Sequence, residues 1–219
     1  MTLHGASPMK NYIKYPRTPH LPWSPGVSED DIRVIDTKHF EGEEIVVTEK
    51  MDGENTTLYP DHLHARSIDS THHPSRTQIK RIHGQIAHDI PKGWRICGEN
   101  LQACHSIHYS NLLDYFYVFS IWDENNMALS WEDTIFWCAL LKLQEVPTLL
   151  GPCRWNENKV KTFTLNEEKQ EGYVVRLARS FPFNQFNKST AKYVRANHVT
   201  TDDHWLQQKM IQNKKGEKR

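Results

Sequence analysis

Short runs of apolar, β-branched and aromatic residues recur along the whole chain and constrain its fold more than any other feature. Each run is bounded by Gly, Asp, Asn or Pro, the residues that commonly form the turns at the ends of strands. The predicted strands cover 44–48, 56–59, 94–97, 115–122, 172–177 and 191–196. Because the helical segments between them do not alternate regularly with these runs, the pattern favours an α+β fold with antiparallel sheets.

Three segments carry the signals of helices. Residues 75–89 place isoleucines three or four positions apart, which is the period of a half-buried helix. Ser130 and Asp133 have the spacing of a capping box that opens the apolar run 135–143. A third helix is expected at 202–212.

Length and composition indicate one domain. The chain has 219 residues, 37% hydrophobic and 25% charged, which suits a soluble protein with one substantial core. We expect a single domain over 1–219, with an irregular lead-in at 1–30 and a C-terminal helix and basic tail at 197–219. No run approaches the roughly 18 apolar residues of a membrane span, and no signal-peptide core begins the chain. A cytoplasmic location without a membrane partner is therefore expected.

The charge balance leaves nucleic-acid binding to local patches, since 27 basic and 27 acidic residues cancel. One candidate patch surrounds the predicted helix at 75–89, and the other is the C-terminal tail. A solvated helix face and a frayed terminus would explain the same residues, and for the tail alone this is the favoured interpretation. The two patches contain Arg76, Lys80, Arg81, Lys92 and Arg95, and Lys209, Lys214, Lys215, Lys218 and Arg219.

The strongest local signal runs from Glu49 to Asn55, Glu-Lys-Met-Asp-Gly-Glu-Asn, and places Lys50 between a predicted strand and a tight turn. Lys-x-Asp-Gly alone is weak evidence, because a strand-ending Asp-Gly turn beside an exposed lysine has the same sequence. Further residues follow in order, each near a strand and each suited to one part of a nucleotide. They are Arg66, Glu99, Phe119, Glu171, Lys192 and Arg195.

In this order the motifs resemble those of the covalent nucleotidyltransferase superfamily, which contains ATP-dependent ligases and capping enzymes. The likeness is greatest to the nick-sealing class of RNA ligases and runs from about Glu44 to Arg195. The resemblance implies an adenylation domain of antiparallel sheets flanked by helices, with the nucleotide between the sheets. Because only about two dozen residues follow Arg195, we expect no C-terminal OB domain.

The resemblance also implies roles for single residues. Lys50 would attack the α-phosphate of ATP, form lysyl-AMP and release pyrophosphate. Deprotonating a lysine of pKa about 10.4 at pH 7 costs roughly 4 to 5 kcal/mol. The site is therefore expected to lower the pKa of Lys50 by burial or by positive charge. Lys192, Arg195 and a divalent metal are the candidate sources of that charge.

Three residues are expected near the nucleoside. Glu99 resembles the carboxylate that binds the ribose hydroxyls, and Phe119 resembles the aromatic residue that stacks on adenine. Apart from their order in the sequence, Phe119 would be interpreted as a core residue and Glu99 as an exposed turn residue. Glu49 lies either beneath the adenine or simply within its strand, and both alternatives stay open.

Two carboxylates and a lysine are expected near the phosphates. Glu171 resembles the ligand of Mg²⁺ or Mn²⁺, and Asp52 would organise the turn or reach the metal through water. Lys192 resembles the contact to the α-phosphate, but many relatives have Lys-x-Lys where this chain has Lys-Tyr-Val-Arg. The second basic contact is therefore open among Arg195, Lys188 and Arg176.

The later steps are assigned to Asn55 and Arg66, which in RNA ligases help to transfer AMP to the 5′-phosphate and to align the nick. The predicted function is ATP-dependent joining of 5′-phosphate and 3′-hydroxyl RNA ends, with a nicked duplex among the candidate substrates. A protein partner or a homodimer would help so short a chain to hold RNA. The alternatives are a minimal DNA ligase, a capping enzyme, and a nucleotide- or RNA-binding protein that has the fold without the chemistry.

Overall fold

Two β-sheets form the framework of the protein, and every strand predicted from the sequence lies in one of them. The structure is a computed structural model that describes residues 12–27, 31–166, 168–196 and 210–216. The strands are β1 (Glu44–Lys50), β2 (Glu54–Leu58), β3 (Leu63–Ala65), β4 (Arg95–Asn100), β5 (Phe116–Trp122), β6 (Met127–Ala128), β7 (Gln144–Glu145), β8 (Thr148–Arg154), β9 (Gly172–Leu177), β10 (Phe181–Pro182) and β11 (Thr190–Val194).

The first sheet has the order β11-β9-β1-β8, and the second has the order β10-β6-β5-β4-β2-β3. All these neighbouring strands pair antiparallel, as expected. The two-residue strand β7 departs from the expectation, because it pairs parallel with β5. β6 contacts the end of β5 at Trp122, so the edge near Tyr117 is left for β7.

In the described part of the chain, four α-helices accompany the sheets, together with short 3₁₀ turns. The helices are α1 (Thr77–Ile86), α2 (Trp131–Leu141), α3 (Glu157–Lys161) and α4 (Phe186–Ser189), and the turns are Lys38–Phe40, Pro74–Arg76, Ala87–Asp89 and Phe183–Gln185. The helix predicted at 75–89 is confirmed in its middle part, while its two ends form 3₁₀ turns. The serine half of the capping box is also confirmed, since Ser130 Oγ accepts the N–H of Asp133 at 3.0 Å, while the Asp133 carboxylate accepts the Ser130 hydroxyl at 2.6 Å.

The helices α1 and α2 cover one face of the second sheet. Ile79 of α1 and Cys138 of α2 share a buried cluster with Leu58, Ile96 and Val118 of the sheet. Because strand side chains alternate between faces, residues such as Asn55, Cys97 and Glu99 lie on the opposite face, towards the first sheet. The second sheet is thus apolar against its helices and largely polar on the side that faces the first sheet.

The lead-in takes part in the core, although its described residues form neither helix nor strand. Leu21 is fully buried, and its N–H donates to the Lys192 carbonyl at 2.8 Å. Trp23 donates its ring N–H to the hydroxyl of Tyr173 at 3.0 Å. Residues 19–26 are therefore packed along the edge of β11 and over one face of the first sheet, while Tyr12 and Tyr15 contact Tyr59, directly after β2, and Phe119 of the second sheet.

The prediction of a helix at 202–212 is wrong for residues 210–212, which are not helical. Residues 202–209 lie outside the described part of the chain. Gln212 forms an antiparallel bridge with Ala103. The buried amide of Asn213 donates to the carbonyls of Leu101 and Ala103, which holds this segment extended against the loop before β5. None of the helices in the described part of the chain has the length and apolar character of a membrane span.

Candidate active site

Lys50 is the last residue of β1 and lies at the end of the first sheet. It pairs with Gly172 of β9, and Val174 of β9 pairs with Lys192 of β11. Directly paired residues project to the same side of a sheet, and so do residues two apart on one strand. Lys50 and Lys192 therefore share the face that looks towards the polar side of the second sheet.

The ammonium of Lys50 forms an ion pair with Glu171, the residue just before β9. Lys50 Nζ lies 2.6 Å from Glu171 Oε2, with 25% of the Lys50 side chain exposed and 4% of the Glu171 side chain. Burial favours a lower pKa for Lys50, but the charges of Glu171, Glu99 and Asp52 outweigh it, so the pKa lies above its ordinary value. The expectation that these surroundings lower this pKa is wrong, because three carboxylates surround the lysine.

Gly172 makes the close approach of these strands possible. A Cβ at this position would lie 1.9 Å from the carbonyl oxygen of Tyr193 on β11. Real Cβ atoms do not come so near, so a side chain here would push β9 and β11 apart beside Lys50 and Glu171. The glycine of the Glu-Gly pair thus lets the strands that carry Glu171 and Lys192 lie together.

Asp52 holds a neighbouring loop. Its Oδ2 accepts hydrogen bonds from the N–H and hydroxyl of Ser106 and from the N–H of Ile107, each at 2.8 Å. The N–H of Asp52 donates to the hydroxyl of Tyr109 at 3.0 Å. These contacts tie Asp52 to the loop at residues 106–109, while its expected roles in its own turn and at a metal stay predictions.

Glu99 lies in β4 opposite Asn55 of β2. Its Oε1 accepts the N–H of Gly53 at 3.2 Å. Burial raises the pKa of Glu99 to about 8, with further contributions from Glu171 and Asp52 that the nearby Lys50 only partly offsets. The carboxyl is therefore mostly protonated at neutral pH, and the protonated form is able both to donate and to accept a hydrogen bond.

Asn55 faces the same side of the sheet as Glu99. Its amide oxygen is buried and has no hydrogen-bond partner among the described residues. A buried acceptor without a partner costs about 1 to 3 kcal/mol, so this atom favours a ligand that donates to it. Glu49, one residue before the lysine, projects to the other face and accepts a hydrogen bond from the Gln170 amide at 3.1 Å.

Phe119 is the extra residue of a β-bulge. Cys97 pairs with Ser120 and Gly98 with Val118, so Phe119 is left between two rungs of the ladder. A bulge redirects a side chain relative to regular alternation. The half-buried ring of Phe119 packs edge-on against Tyr15 of the lead-in, with 5.0 Å between the ring centroids.

The three candidates for the second basic contact lie in different surroundings. Arg176 is buried, and its guanidinium donates to the carbonyls of Leu129 and Phe119, at 2.7 and 3.4 Å. Lys188 is exposed on α4. Arg195 continues the pairing of β11, since its N–H donates to the Glu171 carbonyl at 3.0 Å, and its Nε is buried without a partner in the described residues.

Arg195 is thus next to Glu171, but strand alternation assigns its side chain to the face opposite Lys192. Arg66 follows β3 at the edge of the second sheet and is half-buried there. The structure brings Lys50, Glu171, Lys192, Glu99 and Asp52 together.

Sequence reasoning missed the contribution of the lead-in. Tyr15 lies between the rings of Phe119 and Phe186, 5.0 and 5.3 Å from them by centroid. Asp31 lies 3.4 Å from Lys192 Nζ. The lead-in carries no motif, and these contacts are long-range, so only the fold brings them to the site.

Few protein groups are available to hold a metal. Among the residues that the structure describes, no three His, Cys, Asp or Glu side chains come together as a metal-binding group. A divalent cation beside Glu171 would therefore need most of its ligands from phosphate oxygens and water, which suits Mg²⁺ or Mn²⁺. The carboxylate-rich surroundings of Lys50 fit that mode of binding.

Comparison with solved structures finds the RNA ligase of Naegleria gruberi in several states. Its complex with PPi superimposes with a TM-score of 0.53 at 18% identity, over 85% of this chain and 61% of that ligase. A variant with ATP and Mn gives a TM-score of 0.52 at 18% identity, over 73% of this chain and 52% of that one. A variant with AMP and Mn gives 0.52 at 17% identity with the same coverage.

At this identity the superpositions show a shared fold, and the chain spans only about half to three fifths of the length of that ligase. Curated protein sequences give no match. The family model described as RNA ligase matches residues 43–194, which include both sheets and all the residues gathered around Lys50. The resemblance seen in the motifs is confirmed at this level, and the chain belongs to the RNA ligase family.

Proposed function

We propose that this protein is an ATP-dependent RNA ligase that forms a covalent lysyl-AMP on Lys50. The AMP is then transferred to an RNA 5′-phosphate, and a 3′-hydroxyl displaces it to seal the two ends. The observation that carries the proposal is the placement of Lys50 between the sheets, 2.6 Å from Glu171 and near Glu99 and Lys192. The Naegleria ligase of similar fold has been solved with ATP, with AMP and with PPi, which supports the proposal.

In the first step, Lys50 Nζ bonds to the α-phosphorus, the bond from that phosphorus to the bridging oxygen breaks, and pyrophosphate leaves. Nζ must lose its proton, and Glu171 Oε2 is the acceptor nearest to it. Glu171 also has the oxygen ligands that a divalent cation prefers, with Asp52 reaching it through water. Such a cation, when bound, supplies positive charge against the phosphates and the carboxylates.

Positive charge matters here because the carboxylates keep the pKa of Lys50 high. The phosphate contact is assigned to Lys192, whose own pKa is lowered by burial and by Lys50. The second basic contact stays open among Arg195, Lys188 and Arg176, because the backbone of Arg195 adjoins Glu171 but its side chain alternates to the face opposite Lys192. Lys192 would stabilise the charge that moves onto pyrophosphate as it leaves.

The nucleoside is assigned to the second sheet. Glu99, with a pKa of about 8, would bind the ribose hydroxyls. Phe119, redirected by its bulge, would stack on adenine. Glu49 would lie further from the nucleoside than Glu99 and Phe119, because its side chain projects to the face of β1 opposite Lys50.

Asn55 and Arg66 are assigned to the RNA end. The buried amide oxygen of Asn55, which has no partner among the described residues, would accept a hydrogen bond from the nucleic acid or the adenylate. Arg66 would contact the 5′-phosphate with its planar guanidinium. The substrate class is RNA with 5′-phosphate and 3′-hydroxyl ends, including a nicked duplex.

The test is the intact mass of the protein after incubation with ATP and Mg²⁺ or Mn²⁺, following treatment with pyrophosphate to remove any AMP already attached. We expect an increase equal to one AMP in the wild type and in Lys38→Ala, which removes an exposed lysine. Lys50→Ala should gain no mass. An unmodified wild type that is folded by circular dichroism would contradict the proposal and favour a binding role.

The adenylated protein is then offered nicked RNA, nicked DNA and single-stranded RNA, each with 5′-phosphate and 3′-hydroxyl ends. Sealing of RNA in preference to DNA supports the proposed substrate class. Preference for nicked DNA would identify a minimal DNA ligase. A covalent adduct with GTP in place of ATP would indicate capping chemistry.

A further inference from the structure

The lead-in forms an additional rung along β11, next to Lys192. The N–H of Lys192 donates to the Pro19 carbonyl and its carbonyl accepts the N–H of Leu21, both at 2.8 Å. His20, between these two residues, also bridges to Arg33 on its other side. The segments around Lys192, His20 and Arg33 therefore run side by side, at the edge of the first sheet that β11 forms in the described residues.

This arrangement places Asp31 between His20 and Lys192. Asp31 Oδ1 lies 3.4 Å from Lys192 Nζ, and Asp31 Oδ2 lies 3.1 Å from His20 Nε2. The side chains of Asp31 and Lys192 are 15% and 18% exposed, and His20 is fully buried. The ion pair is therefore largely shielded from water, where a lysine ammonium needs a partner.

The other ring nitrogen of His20 contacts Ser24. Its Nδ1 lies 2.8 Å from Ser24 Oγ, and Ser24 Oγ accepts the N–H of Val194 at 2.9 Å. Burial, together with the positive charge of Lys192, lowers the pKa of His20 to about 4, so the imidazole is neutral at pH 7.

A lysine side chain loses about 2 kcal/mol of rotamer entropy when it is held in one conformation. Lys50 and Lys192 also repel each other, because both are cationic and face the same side of the sheet. Asp31 opposes both effects, since it attracts the Lys192 ammonium towards the edge of β11. Glu171 is the other carboxylate that acts on Lys192, from the β9 side.

We propose that Asp31 is a positioning residue that holds the Lys192 ammonium in place for the α-phosphate of ATP. The inference rests on the proposed function, because it assigns Asp31 a part in forming lysyl-AMP. Asp31 acts through Lys192. Asp31, directly after the lead-in, is thereby part of the nucleotide site.

The test is a double-mutant cycle on the rate of lysyl-AMP formation, with Asp31→Asn, Lys192→Ala and the combined variant. A misplaced phosphate contact slows a reaction by roughly 10- to 100-fold, which is the effect we expect for Asp31→Asn alone. In the Lys192→Ala background the same change should alter the rate by less than about twofold. Asp36→Asn, which removes an exposed carboxylate five residues after Asp31, should match the wild type.

Thermal unfolding of each variant separates positioning from misfolding, since Asp31 is partly exposed and its replacement by Asn keeps the shape. A wild type that forms no adduct contradicts the proposed function itself. A wild type that forms the adduct, with Asp31→Asn equally fast, overturns this inference alone. Equal slowing by Asp31→Asn with and without Lys192 also overturns it, because Asp31 would then act independently of Lys192.

Discussion

The residues around Lys50 concentrate negative charge in a small, shielded volume. Glu171, Glu99 and Asp52 all act on Lys50, and Glu99 responds with a pKa raised to about 8. A carboxyl whose pKa is raised by burial binds its proton more tightly in the folded protein than in the unfolded chain. The free energy of unfolding therefore falls as the pH rises from about 4.5 to about 8.

Replacing Glu99 by Gln should remove this dependence. As the pH rises across this range, the unfolding free energy of the wild type should fall while that of Glu99→Gln should not. The difference between the two should therefore grow by at most about 1.4 kcal/mol per pH unit. Urea denaturation at pH 5, 6.5 and 8 measures the difference. Glu41→Gln, at an exposed position, should follow the wild type, and parallel curves for all three proteins would contradict the argument.

Sequence reasoning found the residues of the site better than their surroundings. The motifs identify Lys50 and Glu171, and in the structure the two side chains lie 2.6 Å apart. They meet because each motif lies at a strand end and the two strands pair. The sign of the Lys50 pKa shift was wrong, since it depends on how many carboxylates the fold collects. Tyr15 and Asp31 were missed because their partners are distant in sequence.

At the scale of elements, the pairing of β1, β9 and β11 decides where the reactive groups lie. Gly172→Ala should destabilise the protein by at least about 2 kcal/mol, since the new Cβ overlaps the Tyr193 carbonyl and overpacking has such costs. Gly84→Ala is the matched control, because its Cβ meets nothing within 4 Å on the exposed side of α1.

The control should stabilise the protein by roughly 0.5 to 1 kcal/mol, as alanine does in place of glycine within a helix. Both values are read from urea denaturation curves. Equal stability of the two variants would mean that β9 and β11 can separate at Gly172 without cost.

The sequence predicts six of the strands and the two longer helices of the described residues. The elements that it does not predict are short or lie at a sheet edge. The strands with continuous β-branched and aromatic runs were found, whereas β8 was not. It contains Gly151 and Pro152, and its residues are only partly buried at a sheet edge, so it lacks the alternation of a strand with one buried face. The parallel strand β7 has two residues, too few for any periodic signal.

At the scale of the whole molecule, the lead-in behaves as part of the core. Its prolines predicted irregular backbone, and the described residues 12–27 are irregular, but composition gave no sign of how deeply they pack. Leu21 is fully buried, whereas Ile35, a little further along, is 97% exposed. Burial within this part of the chain therefore follows tertiary contacts and not local hydrophobicity.

Truncating each residue tests this difference. Leu21→Ala should lower the unfolding free energy by about 2 to 5 kcal/mol, the usual cost of removing a fully buried leucine side chain. Ile35→Ala should change it by less than about 0.5 kcal/mol. If thermal and urea unfolding show Leu21→Ala to be as mild as Ile35→Ala, the lead-in is attached to the core without stabilising it.

The ion pair between Lys50 and Glu171 has a consequence for the chemical selectivity of the protein. Acylating and alkylating compounds in the cell react with neutral amines, and an ammonium held by carboxylates offers them no lone pair. If Lys50 is the nucleophile proposed above, the group that adjoins it also shields it from adventitious modification between turnovers. Such a lysine would react only when its own substrate brings compensating charge.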